Sequence, residues 1–130
     1  MYMLDTNTCI FAMKKKGRVL QRLLQHDPEE ICISSVTYAE LRCGVEKSQR
    51  REQNLMALLL FLSEITILPY DVNAAEEYGV IRASLEQKGT PIGPLDMLIA
   101  SHAKAAGTTV VTNNLKEFRR ISSLKAEDWL

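Results

Sequence analysis

YMLDTNTCIFAM, residues 2–13, runs a short apolar segment straight into a helical pattern, with one acid at the join. Tyr2 to Leu4 predicts a first strand, and Thr6 to Met13 a helix that follows it directly. The same arrangement recurs at Ile31 to Ile33, where Ser34 and Ser35 offer an N-cap to a helix reaching about Lys47. It recurs again at Thr66 to Leu68, closed by Pro69 and followed by a long helix over Val72 to Lys88. Short apolar runs alternating with helices indicate an α/β domain: a central, mostly parallel sheet of four to five strands flanked by helices.

Further helices are expected over residues 18–25, with Val19, Leu20, Leu23 and Leu24 as the apolar side, and over residues 51–63. In the long helix, Ala75, Tyr78, Gly79, Arg82 and Leu85 fall along one stripe. GTPIGP (Gly89 to Pro94) breaks the chain, Pro94 suits the first position of a helix to Ala106, and Gly107 ends it. Thr108 to Val111 then reads as a strand, Leu115 to Phe118 as a short helix, and Ser123 to Lys125 as a tail strand. With no linker, repeat or low-complexity segment, residues 1–130 form one domain.

With 46% apolar and 25% charged residues the chain has enough of both to bury a core, which excludes wholesale disorder. Sixteen basic residues balance sixteen acidic ones, so net charge does not point to nucleic acid. The longest apolar run, Leu55 to Leu62, is far too short to span a bilayer, so no membrane partner is expected. The first residues lack a basic segment and carry Asp5 and Asn7 among the apolar ones, unlike a signal peptide. Three cysteines without a CxxC spacing fit buried, reduced thiols and a cytoplasmic protein.

Three carboxylates fall where these elements should converge. Asp5 follows the first strand, Glu40 lies one and a half turns into the helix after the second, and Asp96 is in the first turn after Pro94. Each has a helix-end explanation: Asp5 as an N-cap, Glu40 in a capping box with Thr37, Asp96 against the helix dipole. Together they make an acidic group with no Lys or Arg within two residues of Asp5 or Asp96. Oxygen donors without a Cys or His cluster suit Mg²⁺, with Mn²⁺ able to substitute, rather than zinc. Such a site serves phosphodiester hydrolysis. Neither His26 nor His102 lies in a catalytic pattern, and no phosphate loop or nucleophile elbow is present.

MLDTN at 3–7, SSVTYAEL at 34–41, GxxDxxIAxxA at 93–103 and VVTNNxxEF at 110–118 occur in one order and span most of the chain. Together they resemble PIN-domain ribonucleases, and among these the VapC toxins of bacterial type II toxin–antitoxin pairs. The resemblance implies a metal-dependent endoribonuclease that cleaves structured RNA, with transfer RNA as the substrate class, by hydrolysis with a metal-activated water. It implies Asp5, Glu40 and Asp96 as catalytic metal-holding acids, with Asn7 and Thr112 in support. It further implies neutralisation by a cognate VapB-like antitoxin, a homodimer and a higher toxin–antitoxin assembly.

One position departs from the family pattern. Many PIN domains carry a fourth acid where this chain has Asn114, and Glu117 follows one helical turn later. Either Glu117 reaches the site, or it is a solvated charge beside Lys116 and Arg119. The neutral amide at Asn114 leads us to expect one tightly held ion on Asp5 and Asp96, with Asn114 acting through water. Lys14, Lys15, Lys16 and Arg18, in a stretch without acids, are the candidate RNA contacts. The apolar helix over 51–63 predicts packing on more than one side and places a dimer contact and antitoxin groove near helices 36–62. Competing readings are a nuclease of the same fold outside any toxin pair, a phosphotransfer enzyme with Asp5 as acyl-phosphate, and a binding module. Against phosphotransfer, Asn7 stands where haloacid-dehalogenase-type phosphatases have a second Asp.

Overall fold

β1 (Tyr2–Leu4) lies at the centre of a five-stranded, all-parallel sheet with strand order β3-β2-β1-β4-β5 in the computed structural model, which describes residues 1–130. The neighbours are β2 (Ile31–Ser34) and β4 (Thr109–Val111), with β3 (Thr66–Leu68) and β5 (Ala126–Glu127) at the edges. Met3 stands opposite Cys32 on one side and Val110 on the other. A parallel sheet needs cover on both faces, and the two-residue strand period distributes the side chains accordingly. Met3, Cys32 and Val110 enter one core with Ile81, Leu85, Met97, Ile99 and Phe118. Leu4, Ile31, Ile33 and Val111 enter the other with Leu41, Val45, Leu58 and Trp129.

The first core is covered by α5 (Val72–Gln87), α6 (Pro94–Ala106) and α7 (Leu115–Phe118). The second is covered by α1 (Thr6–Met13), α2 (Val19–Leu23), α3 (Ser35–Lys47) and α4 (Arg51–Phe61). After β1 the chain moves to β2 and β3, then returns past β1 to build β4. The sheet therefore changes direction between β1 and β4, and the crevice beyond the carboxyl ends of those two strands is where open α/β sheets bind ligands.

The helix ends follow local chemistry. Ser34 caps α3, its hydroxyl accepting the Val36 N–H at 3.0 Å, and the same oxygen stands 2.7 Å from His102 Nδ1 on α6. One serine hydroxyl therefore joins the start of α3 to α6. His102 is thus a buried structural residue, set edge-on to Tyr70.

Three expectations change, and a fourth is met within the chain on one side only. The tail strand forms at Ala126–Glu127 rather than Ser123 to Lys125, because Ser123 has a φ of 65°, which breaks extended backbone. In α5 the buried stripe is Ala74, Ile81 and Leu85 with Tyr78 partly buried, whereas Ala75, Gly79 and Arg82 face solvent. Only Cys9 and Cys32 are buried; Cys43 is exposed. Only one side of α4 packs within the chain: Leu58 is buried, but Met56, Leu59 and Leu60 are exposed.

Gly107 ends α6 in the left-handed region (φ 69°), where the Thr108 N–H reaches back to the Ala103 carbonyl at 3.0 Å. A Cβ there would meet nothing within 4 Å, so the cost of a side chain is purely conformational. Gly107→Ala is therefore expected to lower the unfolding free energy by about 1 kcal/mol, read by urea denaturation with an unchanged m-value.

Candidate active site

Asp5 leaves β1 in extended conformation and caps α1, its Oδ1 accepting the Thr8 N–H at 2.8 Å. The Thr8 hydroxyl donates to the Val111 carbonyl at 2.9 Å, and the Asp5 N–H donates to that same carbonyl at 3.0 Å. The cap and the crevice are therefore one construction. Thr112, the fully buried residue after β4, favours the charged form of the Asp5 carboxylate. It also accepts the Asn114 N–H at 2.9 Å.

Asn114 bridges the remaining acids. Its Nδ2 donates to Asp96 Oδ2 at 3.1 Å and to Glu117 Oε2 at 2.6 Å, which uses both amide protons. Asp96 is carried by the first turn of α6, which Pro94 starts, and Glu117 by α7. Glu117 thus reaches the site, which corrects its reading as a solvated charge beside Lys116 and Arg119. A carboxylate at position 114 would repel both acids that the amide ties together.

Burial, before any other influence, pushes the Asp96 carboxyl up to about 6. A hydrogen bond to Glu117 in the protonated form and the charges of Asp5 and Glu117 push the same way, while Asn114's donated bond opposes them. Burial also raises Asp5 above the usual carboxylate range, partly offset by bonds from Thr112 and Thr8. None of the chain's ion pairs involves Asp5, Asp96, Glu117 or Glu40. The acids are all-oxygen donors whose charge the protein leaves uncompensated, and that donor set fits a hard divalent cation.

Two other expected site residues, Glu40 and Asn7, are not tied into this hydrogen-bond network. Glu40 is half-buried on the wall of an open groove of about 490 Å³, with Ile10, Met13 and Lys14 from α1, Leu41 from its own α3, and Leu58 from α4. It makes no ion pair. It does not form the expected capping box either, because α3 starts at Ser35 and is capped by Ser34. As the side chains stand, no three His, Cys, Asp or Glu groups converge as a ready metal cage. Asn7 is exposed and makes no side-chain hydrogen bond, so the structure does not join it to the network. Thr8 is the residue the sequence reading missed; its signal was the Asp-x-x-Thr spacing that matches an N-cap to its N3 donor.

The raised pKa of Asp96 sets a sign for stability. Between its unfolded value of about 4 and about 6, the folded protein binds more protons than the unfolded chain, so this residue costs stability as pH rises through that window. His102, whose pKa burial lowers, acts in the opposite sense, so the variant must be compared with wild type at each pH. Asp96→Asn is expected to raise the melting temperature at pH 7.5 in EDTA by roughly 3–5 °C, the shift that ~1 kcal/mol gives a domain of this size. The gain should vanish at pH 4.

The PIN domain family matches residues 2–124 of the chain. Among curated proteins, the tRNA(fMet)-specific endonuclease VapC of Salmonella typhimurium is 48% identical over 128 residues, covering 98% of this chain and 97% of its own. The ribonuclease VapC2 of Rickettsia felis is 46% identical over 132 residues, again covering 98% and 97%. Among solved structures, the DNA-bound VapBC of Salmonella typhimurium matches with a TM-score of 0.93 at 48% identity, covering 99% of this chain and 98% of that one. VapBC2 of Rickettsia felis, bound to a promoter DNA fragment, matches with a TM-score of 0.92 at 45% identity and the same coverage. Likeness of this extent covers the whole sheet, its helices and the crevice at β1 and β4. The chain belongs to the PIN-domain family, in its VapC ribonuclease branch.

Proposed function

We propose that this chain is the toxin of a type II toxin–antitoxin pair, an endoribonuclease that hydrolyses a phosphodiester of transfer RNA with a divalent cation. The observation that carries the proposal is the acid cluster at the β1–β4 crevice, where Asp5, Asp96 and Glu117 stand without a basic partner. Asp5 and Asp96 would hold the ion, with Glu117 and Glu40 as further carboxylates, and Mg²⁺ or Mn²⁺ suits the oxygen donors. A cation held by these carboxylates would offset charge growing on the phosphate and would acidify water. Thr8 and Thr112 fix the Asp5 carboxylate, and Asn114 fixes Asp96 and Glu117 relative to each other. A carboxylate of this group takes the proton of the attacking water.

The VapC relatives solved as VapBC complexes support a VapB-like antitoxin as partner. The groove between α1, α3 and α4, lined by Ile10, Met13, Leu41, Val45 and Leu58, suits an apolar antitoxin segment. The exposed Met56, Leu59 and Leu60 on α4 suit a homodimer contact. No helix is long and apolar enough to cross a membrane.

Cleavage of a transfer RNA pool with Mg²⁺, with and without EDTA, tests the proposal, with circular dichroism as folding control. Asp5→Asn and Asp96→Asn should each lower the rate by more than the ~10–100-fold that loss of an outer supporting group costs, and Asn114→Ala by about that amount. Glu40→Gln should lower it less than either aspartate change. Undiminished cleavage in EDTA would sink the metal mechanism, and a sedimenting monomer at tens of micromolar would sink the dimer.

A further inference from the structure

The segment joining α1 to α2 has a charge, a conformation and a support that nothing at the acid cluster requires. Lys14, Lys15, Lys16 and Arg18 are exposed, none is ion-paired, and no acid occurs between Met13 and Gln25. In a chain with sixteen acids and sixteen bases, this local excess is unbalanced by design of the sequence rather than by overall charge. Arg18, Gln21, Arg22 and Gln25, spaced as one helical side, continue it as an open cleft with no hydrophobic residue in its lining.

The backbone carries the second observation. The Lys16 N–H bonds to the Phe11 carbonyl at 2.8 Å, closing α1 with Lys15 in the left-handed position (φ 56°) where glycine is the usual residue. A lysine there costs backbone energy that a glycine would not. No salt bridge or hydrogen bond of its side chain repays that cost within the chain.

The third is an anchor. Trp129 is buried, stacked on His26 at 4.9 Å and 3°, and packed at a tilt against Tyr2 at 5.1 Å. The Arg22 guanidinium lies 5.7 Å from its ring. Leu130 closes over Gly17, where an added Cβ would stand 2.8 Å from its Cδ1. The segment after β5 thus straps α2 and the lysine turn to the sheet, and the cations are held in place rather than left on a loose loop.

We propose that the lysine turn and the Arg/Gln side of α2 form a docking surface for the phosphodiester backbone of the RNA substrate, held in position by Trp129. Guanidinium and ammonium groups meet phosphates, and glutamine amides meet phosphate, 2′-hydroxyl or base-edge oxygens. The proposal rests on the endoribonuclease reading, and Lys15 provides its sharpest test, because replacing it with glycine relieves backbone strain while deleting one charge.

Binding of transfer RNA is measured by fluorescence anisotropy across KCl concentrations in the non-cleaving Asp96→Asn protein, alongside thermal melting. Lys15→Gly is expected to melt no lower than its parent, yet bind RNA about three- to tenfold more weakly at 0.1 M salt and lose about 1 from the log–log salt slope. Arg18→Gln should reproduce the loss. Parental affinity and slope in both variants, with wild type still cleaving transfer RNA, would overturn the docking surface and leave the enzyme reading intact. A loss of antitoxin affinity with RNA affinity unchanged would overturn it in favour of a protein-binding surface. Absence of cleavage by wild type would defeat the underlying reading itself.

Discussion

The Val111 carbonyl accepts two hydrogen bonds, from the Asp5 N–H at 3.0 Å and the Thr8 hydroxyl at 2.9 Å. That single oxygen ties the exit of the central strand, the first turn of α1 and the end of β4. It sits where the sheet changes direction, and everything in the crevice is placed relative to it. Asp5 is fixed as a cap, Thr112 is delivered beside it, and the turn after Thr112 carries Asn114 and Glu117 toward Asp96. The cap and the candidate ligand are the same carboxylate, so weighing one role against the other was a false choice for Asp5.

Gathering acids at this place has an energetic consequence. Burial raises Asp5 and Asp96, and neighbouring acids add like charge that the bonds from Thr8, Thr112 and Asn114 only partly offset. A protein selected only for stability would neutralise such a group or space its members apart. Asn114 does neither, but its two amide protons hold Asp96 and Glu117 in one arrangement without adding a charge. The amide therefore organises the site where a fourth carboxylate would have strained it, and Glu117 brings the negative charge from the next helical turn.

The helices over the second core show a similar division between what the fold satisfies and what it leaves open. α4 is apolar on nearly every side, yet within the chain it buries only Leu58, leaving Met56, Leu59 and Leu60 in water. The groove it forms with α1 and α3 is likewise apolar and open. Exposed apolar surface of this kind costs solubility unless a partner covers it, which agrees with relatives solved as VapBC complexes. By contrast, the α1–α2 segment is polar and firmly seated, because Trp129 and Leu130 close on it from β5.

Local chemistry made much of this legible in the sequence. The strand–acid–helix join at residues 2–13, the Ser34 cap, Pro94 at the start of α6 and Gly107 at its end all act within a few residues, and all appear as read. The motifs around Asp5, Asp96 and Thr112 to Phe118 likewise pointed to the family that whole-chain similarity shows. What the sequence did not decide were contacts between residues distant along the chain. The stripe of α5 that faces the core, the place of the tail strand, and the exposed side of α4 depend on which surfaces the sheet presents. So does Glu117: the helical turn placed it beside Asn114, but only the fold brings that pair to Asp96 at the first turn of α6. Glu40 likewise takes its place from packing, at the wall of the groove that α3 forms with α1 and α4. Periodicity and capping are local and survive in one dimension; the meeting of side chains eighteen or more residues apart, as with Asp96 and Asn114, exists only after the sheet has set their distance.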